Sequence, residues 1–342
     1  MASPSSKEKI RKSRDGAVTL EIDLEEGDEF VSFIGRENGL YYITRNKILR
    51  YRSPDDIDPN LEHENVPWTQ NLILPHGASD PIVARTIIQT ENLVQNFFIK
   101  GTKKHAEISD ISWEVMNSLV SLRFIKQRLK QQVENHVRTI EENLEEYTRP
   151  DKPKTLPIID HFNIEFRSFV NEVKRGLQTI SKLFLPLTNK DDFKNAKFHK
   201  AQLWAEKEKG KDSLLAQMLA GDQVWVKTWI DIRNTLEHPK KDEFVETLDF
   251  SLEPDGTIRL PTWRFVHPDY DMGRPQNLLD VMNTCIDNLL KFYEDLLIAL
   301  LDGHLPSHIK VFFEVIPEEN RDPKLPLRYH FSSGVLNNKG KA

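Results

Sequence analysis

Hydrophobic positions in the middle of the chain recur at intervals of three and four residues, which predicts two long amphipathic helices. The first apolar stripe runs from Val115 to Leu144 and stops before Pro150, and the second runs from Phe162 to Phe184. Helices of this kind bury their stripes against each other, so we expect an antiparallel pair in a helical bundle. A further helix over 277–301 is apolar over a broad arc, which is typical of a central position in the bundle.

Strand-like patterns lie on both sides of these helices. Residues 17–52 alternate around an Asn38-Gly39 turn, and two apolar runs flank Pro254-Asp255-Gly256, which is typical of hairpins. The sequence therefore predicts an α+β fold that is mainly α. The predicted parts are a disordered basic tail (1–16), a small β-rich segment with a linker and a short helix (17–100), a helical bundle (105–305) with a β-hairpin insertion (243–266), and C-terminal strands with a tail (306–342).

Candidate chemistry concentrates in the region before Pro239. Two short helices are expected, 212–219 and 222–238, separated at Gly221, with Asp222 as the cap of the second. One face of the second helix is apolar and consists of Trp225, Trp229, Ile232 and Leu236. The opposite face carries a polar stripe of Lys227, Asp231, Asn234 and His238.

His238 is expected at the helix C-terminus, where the helix dipole favours its protonated form. A histidine that titrates near neutrality, next to Asn234 and Arg233, suits acid–base chemistry on a phosphodiester. Arg233 and His238 are five residues apart, however, which is about 140° around a straight helix. Either the last helical turn unwinds, or a second protomer completes the site.

The segment Arg233-Asn234-Thr235-Leu236-Glu237-His238 resembles the signature of the HEPN superfamily, in which an Arg, a polar residue and a later His end a bundle helix. The resemblance covers about 110–302. It implies a HEPN-like bundle and a metal-independent endoribonuclease without cofactors, of the toxin–antitoxin or phage-defence type. It also implies a homodimer, an antitoxin or other regulatory partner, and a catalytic set of Arg233, His238 and Asn234. Lys227 and Asp231 are then candidates for contacts with the RNA.

Two other interpretations of the motif remain open. HEPN-like proteins also include non-catalytic members that bind RNA or a partner, so a regulatory protein is the alternative function. The polar stripe is also compatible with the plain solvent face of a structural helix.

A second candidate RNA contact lies before the motif helix, where Lys197 and Lys200 stand in a segment that mixes lysines with aromatic residues. Such a mixture can hold phosphates and stack bases. A solvated connector with buried aromatic anchors fits the pattern better, because acidic residues in the same segment dilute its positive charge. The net charge of −6 requires any RNA contact to come from a local patch, since bulk nucleic-acid binding needs a basic protein.

Other features exclude several classes of function. The single cysteine, Cys285, leaves no internal disulfide and no thiolate metal cluster, and its apolar helical context indicates a core residue. We find no metal-ligand set, Gly-rich phosphate loop or serine nucleophile motif. The first residues lack a secretory pattern, and no apolar run reaches the ~20 residues of a membrane span, so we expect a cytoplasmic protein.

Overall fold

The computed structural model describes residues 6–14, 24–36, 39–148, 155–270, 273–304 and 311–333. The chain divides into two compact units, one formed by residues 1–106 and 307–342 and the other by residues 107–306. The predicted alternating strand at Val18, Leu20 and Ile22 lies outside the described residues.

The elements of the chain are as follows, in order. The first are α1 (Ser6–Arg14), β1 (Phe30–Arg36), β2 (Gly39–Thr44), β3 (Ile48–Arg52), α2 (Pro54–Ile57), β4 (Thr69–Leu74), α3 (Pro81–Val83), a π-helical segment (Ala84–Ile88) and α4 (Gln89–Val94). The next are α5 (Lys103–Glu142), α6 (Leu144–Thr148), α7 (Phe162–Ser181), α8 (Phe184–Thr188), α9 (Phe198–Lys209) and α10 (Leu214–Glu237). They are followed by β5 (Phe244–Leu248), β6 (Ser251–Leu252), β7 (Ile258–Arg259), β8 (Thr262–Val266), β9 (Gln276–Asn277) and α11 (Leu278–Asp302). The last are β10 (Val311–Val315), a 3₁₀ turn (Glu318–Asn320) and β11 (Tyr329–Ser333). The predicted α+β class with mainly helical content is confirmed.

The first unit is built on an antiparallel sheet with strand order β1-β2-β3-β4. Gly39 opens β2 with a φ of +134°, and a Cβ there would lie 2.6 Å from the carbonyl oxygen of Tyr51, so only glycine fits this position. The same unit contains the antiparallel pair β10–β11, and the ring of Phe97 packs against Phe313 and Phe331.

The start of the chain differs from its prediction, because Ser6–Arg14 form α1 where a disordered tail was expected. Arg14 explains the difference. Its guanidinium binds Asp55 at 2.9 Å and Asp58 at 2.7 Å, and its side chain is only 4% exposed. Hydrogen bonds from the backbone of His63 and from Arg14 lower the pKa of Asp58 to about 2. The basic segment is ordered by carboxylates that lie about 40 residues away in the sequence.

The second unit contains the predicted antiparallel helix pair. Arg128 of α5 binds Glu165 of α7 at 2.6 Å, and Glu114 of α5 binds Lys182 of α7. Later residues of α5 therefore meet earlier residues of α7, so the two helices run in opposite directions. α5 has 40 residues, which corresponds to about 60 Å at 1.5 Å per residue. α11 is buried along its length, and Cys285 is a core residue of this helix, where burial raises the pKa of its thiol.

The predicted break at Gly221 is wrong, since α10 continues from Leu214 to Glu237 without interruption. A glycine inside a helix costs about 1 kcal/mol relative to alanine, which the packing of buried residues on both sides of Gly221 outweighs. Ser213 caps α10 by accepting a hydrogen bond from the backbone of Ala216 at 3.3 Å. Asp222 is therefore not a cap. It lies inside the helix, where burial and the charge of Asp295 raise its pKa.

Two other helical boundaries differ from the prediction. The helix that starts at Phe162 ends at Ser181, and a separate short helix, α8, contains Pro186 in its first turn, where proline is tolerated. The lysine-rich connector contains α9, whose buried Phe198 and Ala201 attach it to the bundle.

Among the described residues, no helix has the length and apolar character needed to cross a membrane.

The two helical glycines of the second unit give a matched test of this packing. A Cβ at Gly176 in α7 would lie 2.8 Å from Leu289 Cδ2, whereas Gly221 in α10 has no atom within 4 Å of that position. We expect Gly176→Ala to lower the free energy of unfolding by about 1–3 kcal/mol through overpacking. Gly221→Ala should raise it by up to ~1 kcal/mol through helix propensity. Denaturant unfolding measures both, and a loss of stability in Gly221→Ala would contradict an uninterrupted α10.

Candidate functional site

The burial of Trp229 sets the rotation of α10 about its axis. Trp229 is 5% exposed, and its ring lies 6.0 Å from Phe169 of α7 and 6.2 Å from Trp263 of β8. On the other side of the helix, Asn234 and His238 are exposed. The predicted division of this helix into an apolar and a polar face is confirmed, although the ends of the apolar stripe, Trp225 and Leu236, are only half-buried.

The last turn of α10 remains helical to its end. His238 is the C-cap residue, with a φ of −132°, and its backbone N–H donates to the carbonyl oxygen of Asn234 at 2.9 Å. Unwinding of the last turn was one of two ways to bring Arg233 and His238 together. It does not occur, because the hydrogen bond from His238 closes the turn.

A polar cleft of about 330 Å³ lies at this end of α10, near the lower limit of the ~300–1,000 Å³ typical of ligand sites. α10 contributes Asp231, Asn234, Thr235 and His238 to the cleft, the turn after α10 contributes Lys240 and Glu243, and the residue after β8 contributes His267. Strand pairing explains the arrival of His267. Phe244, the first residue of β5, pairs with Val266, the last residue of β8, so the end of β8 returns to the end of α10.

The lysine of the cleft is neutralised by its neighbour. Lys240 Nζ donates to Glu243 Oε2 at 2.7 Å, and this hydrogen bond raises the pKa of Lys240. Two backbone hydrogen bonds, at 2.8 and 3.4 Å, also join the two residues. The turn between α10 and β5 is thus closed on itself and adds no net charge to the cleft.

Lys227 and Asp231 belong to a network that connects α10 to the loop after β8. Lys227 Nζ donates to Asp231 Oδ2 at 2.8 Å, to Asp269 Oδ2 at 3.2 Å and to the hydroxyl of Tyr270 at 3.1 Å. The Tyr270 hydroxyl in turn donates to Asp231 Oδ2 at 2.7 Å. These bonds raise the pKa of Lys227. The ammonium of Lys227 is thus engaged by other groups of the chain, and direct contact of either residue with RNA stays a prediction.

Arg233 points to a different environment from that of His238, and it does not line the cleft. Its guanidinium binds Glu237 at 2.7 Å, and its side chain is 26% exposed. Lys174 of α7 is close by, and its pKa is lowered first by burial and then by the charge of Arg233. This cluster of Arg233, Lys174 and Glu237 contains two cations and one carboxylate, so it has a surplus positive charge.

The other predicted or conceivable sites lie apart from the cleft. Lys197 and Lys200 are exposed at the start of α9, and neither lines the cleft. In the part of the chain that the structure describes, one carboxylate–histidine group has atoms close enough to share a metal ion, namely Asp58, Glu62 and His63. It belongs to the first unit, and its central carboxylate is already bonded to Arg14.

Sequence reasoning missed His267, Tyr270 and Lys174. The hairpin contained a signal for the first two. In every residue pair from Phe244 to Leu252, the two partners lie equally far along the sequence from Asp255. Extending that symmetry places His267 opposite Glu243, five residues after His238. Lys174 had no such signal, because its position depends on the packing of α7 against α10.

Comparison of the chain with family models, with curated proteins and with solved structures finds no match. The function must therefore be argued from the site itself.

The network around Tyr270 can be tested by removal of one hydroxyl group. Tyr270→Phe removes two hydrogen bonds to charged partners, so we expect the free energy of unfolding to fall by about 1–3 kcal/mol. Tyr147→Phe is the matched control, because the Tyr147 hydroxyl has no hydrogen-bond partner among the described residues. Denaturant unfolding of both variants measures the difference. Equal stability of the two would mean that the network does not hold the loop after β8 against α10.

Proposed function

We propose that this protein is a HEPN-type, metal-independent endoribonuclease that acts as a toxin or phage-defence effector. The observation that carries the proposal is the position of His238, exposed at the end of an uninterrupted helix in a polar cleft together with Asn234. A histidine in such a position can exchange protons with a substrate, and the adjacent amide can orient the imidazole or the phosphate.

The proposed reaction is transfer of the phosphoryl group to the neighbouring 2′-oxygen. His238 removes the proton of the 2′-hydroxyl, the O2′–P bond forms, and the P–O5′ bond breaks. The protonated His238 then delivers this proton to the departing 5′-oxygen. Arg233 stabilises the charge on the non-bridging oxygens through bidentate hydrogen bonds. The products are a 2′,3′-cyclic phosphate and a 5′-hydroxyl.

A composite site in a homodimer would reconcile this chemistry with the geometry of one chain. Arg233 and Lys174 lie on one side of α10, and His238 lies on the other. A two-fold dimer that places the cationic cluster of one chain against the His238 cleft of the other would bring all groups to one phosphate. The phosphate would then bind next to this cluster and be attracted by its surplus positive charge.

The rival function is a non-catalytic HEPN-like protein that binds RNA or a regulatory partner such as an antitoxin. The observation in its favour is that three of the cations near the motif are paired with carboxylates. Arg233 is held by Glu237, and Lys227 and Lys240 are held by carboxylates of their own. A site whose cations are neutralised internally attracts polyanions weakly.

The catalytic proposal predicts the behaviour of two single variants. His238→Ala should reduce the rate of RNA cleavage about 10²–10⁴-fold, and Arg233→Ala should reduce it by a similar factor. Cleavage should persist in EDTA and leave 2′,3′-cyclic phosphate ends. Since His238 is exposed and the ion pair of Arg233 with Glu237 is a weak i,i+4 pair, both variants should lose no more than about 0.5–1 kcal/mol of stability.

Glu237→Gln is the control for this experiment. It releases Arg233 from its ion pair without removing a proposed catalytic group, so cleavage should remain at or above the wild-type rate. Thermal melting of all three variants checks the fold. Full activity of His238→Ala would end the ribonuclease proposal. A much lower melting temperature together with lost activity would mean that the motif serves the structure of the protein.

The composite site predicts complementation between inactive variants. In a mixed dimer of Arg233→Ala and His238→Ala chains, one of the two sites keeps both groups, so a random mixture should regain about one quarter of wild-type activity. Light scattering establishes the dimer, and the mixture is refolded together to exchange subunits. A strict 39.8 kDa monomer, or a mixture as inactive as its components, would contradict the composite site.

A further inference from the structure

The cleft at the end of α10 contains a second imidazole. His238 approaches it from the helix, and His267 approaches it from the end of β8. The two residues are 29 positions apart in the sequence, and the hairpin register brings them together. His267 lies outside the Arg-Asn-x-x-x-His motif, so the resemblance to the HEPN superfamily assigns it no role.

The ring of His267 is fixed by its neighbours. It packs against the rings of Phe265 and Tyr270, with centroids 5.3 and 5.1 Å away. The backbone N–H of Tyr270 donates to the carbonyl oxygen of His267 at 3.1 Å, and the Tyr270 hydroxyl is bonded to Asp231 of α10. A side chain held on both sides in this way is preorganised with respect to the motif helix.

The same loop determines which ring nitrogen carries the hydrogen atom. The backbone N–H of Asp269 donates to His267 Nδ1 at 3.1 Å, so Nδ1 is an acceptor and the neutral ring carries its hydrogen on Nε2. Nε2 is then the ring nitrogen that can donate a hydrogen bond, and His267 is one of the residues that line the cleft. This hydrogen adds a donor to a cleft whose lysine, Lys240, is already bonded to Glu243.

We propose that His267 is a further catalytic residue, whose Nε2–H donates a hydrogen bond to a non-bridging oxygen of the phosphate on which His238 acts. This inference rests on the proposed ribonuclease function. His267 does not exchange a proton during the reaction. It stabilises the charge that develops on the phosphorane oxygen, within the same chain as His238. Arg233 supplies the corresponding stabilisation from the second chain.

Two substitutions separate this role from a structural one. Asn at position 267 can accept the hydrogen bond from Asp269, as Nδ1 does, but it has no donor at the place of Nε2. Gln carries an amide donor near the place of Nε2 but does not match Nδ1. A residue that only holds the loop is therefore rescued by Asn, whereas a donor to phosphate is rescued by Gln.

The expected result is a loss in kcat of about 10²–10³-fold in His267→Ala and His267→Asn, the usual effect of removing one such donor, with KM nearly unchanged. His267→Gln should recover most of the loss. The melting temperatures should follow the opposite order, with that of His267→Asn above that of His267→Gln. Wild-type kcat in all three variants, or rescue of kcat by Asn and not by Gln, would overturn the inference and leave the ribonuclease proposal intact.

A binding measurement distinguishes failure of the inference from failure of the proposed function. Inorganic phosphate and a 2′-deoxy oligonucleotide, which cannot be cleaved by this route, are titrated into the full-length protein while the imidazole NMR signals are recorded. Ionisable residues that share the cleft with His267 are Asp231, His238, Lys240 and Glu243, and Asp269 is bonded to its ring, so the pH is held constant. The imidazole signal that disappears in His267→Asn is that of His267, and a shift of this signal with phosphate in the wild-type protein supports the donor even if RNA is not cleaved. An unmoved His267 signal overturns it.

Discussion

The burial of Trp229 is the constraint on which the rest of the site depends. At about 100° per residue, Arg233 lies about 40° from Trp229 around α10, and His238 lies about 180° from it. Packing of the indole between Phe169 and Trp263 therefore turns His238 to solvent and keeps Arg233 beside α7. No rotation of a straight helix brings both side chains into one cleft, so the division of the motif follows directly from the core.

The hairpin after α10 is the second determinant, because it decides what His238 faces. The strands pair symmetrically about Asp255, and the loop that follows β8 is fixed to α10 through Tyr270, Asp231 and Lys227. Residues of the polar stripe thus serve to position the opposite wall of the cleft. Lys227 was expected to contact RNA, yet its hydrogen bonds point to the loop.

The sequence was sufficient to predict features governed by local patterns, namely the stripes of α5 and α7, the end of α10 and the hairpin. It was insufficient where distant contacts compete with local preference. Gly221 disfavours a continuous helix by about 1 kcal/mol. The helix is continuous because the packing of its neighbouring residues outweighs this preference. Arg14 lies in a segment with the composition of a disordered tail, and its order depends on Asp55 and Asp58. The pairing of Arg233 with Glu237 could have been read from their i,i+4 spacing, whereas the approach of Lys174 could not.

The ion pair of Arg233 is the feature that most favours a non-catalytic protein, so its strength matters. An i,i+4 pair on a helix contributes about 0.3–0.5 kcal/mol, and the guanidinium of Arg233 shares its carboxylate with the nearby Lys174. A bidentate bond to phosphate is charge-assisted and about twice as strong as a neutral hydrogen bond. A phosphate that reached this cluster would therefore displace Glu237 at little cost, and it would also relieve the repulsion between the two cations. Access to Arg233 is thus the decisive question, and in a single chain that side chain is only 26% exposed. The ion pair is therefore a weak argument against catalysis. The partial burial of Arg233 matters more, because in the composite site the phosphate must reach this side chain from a second chain.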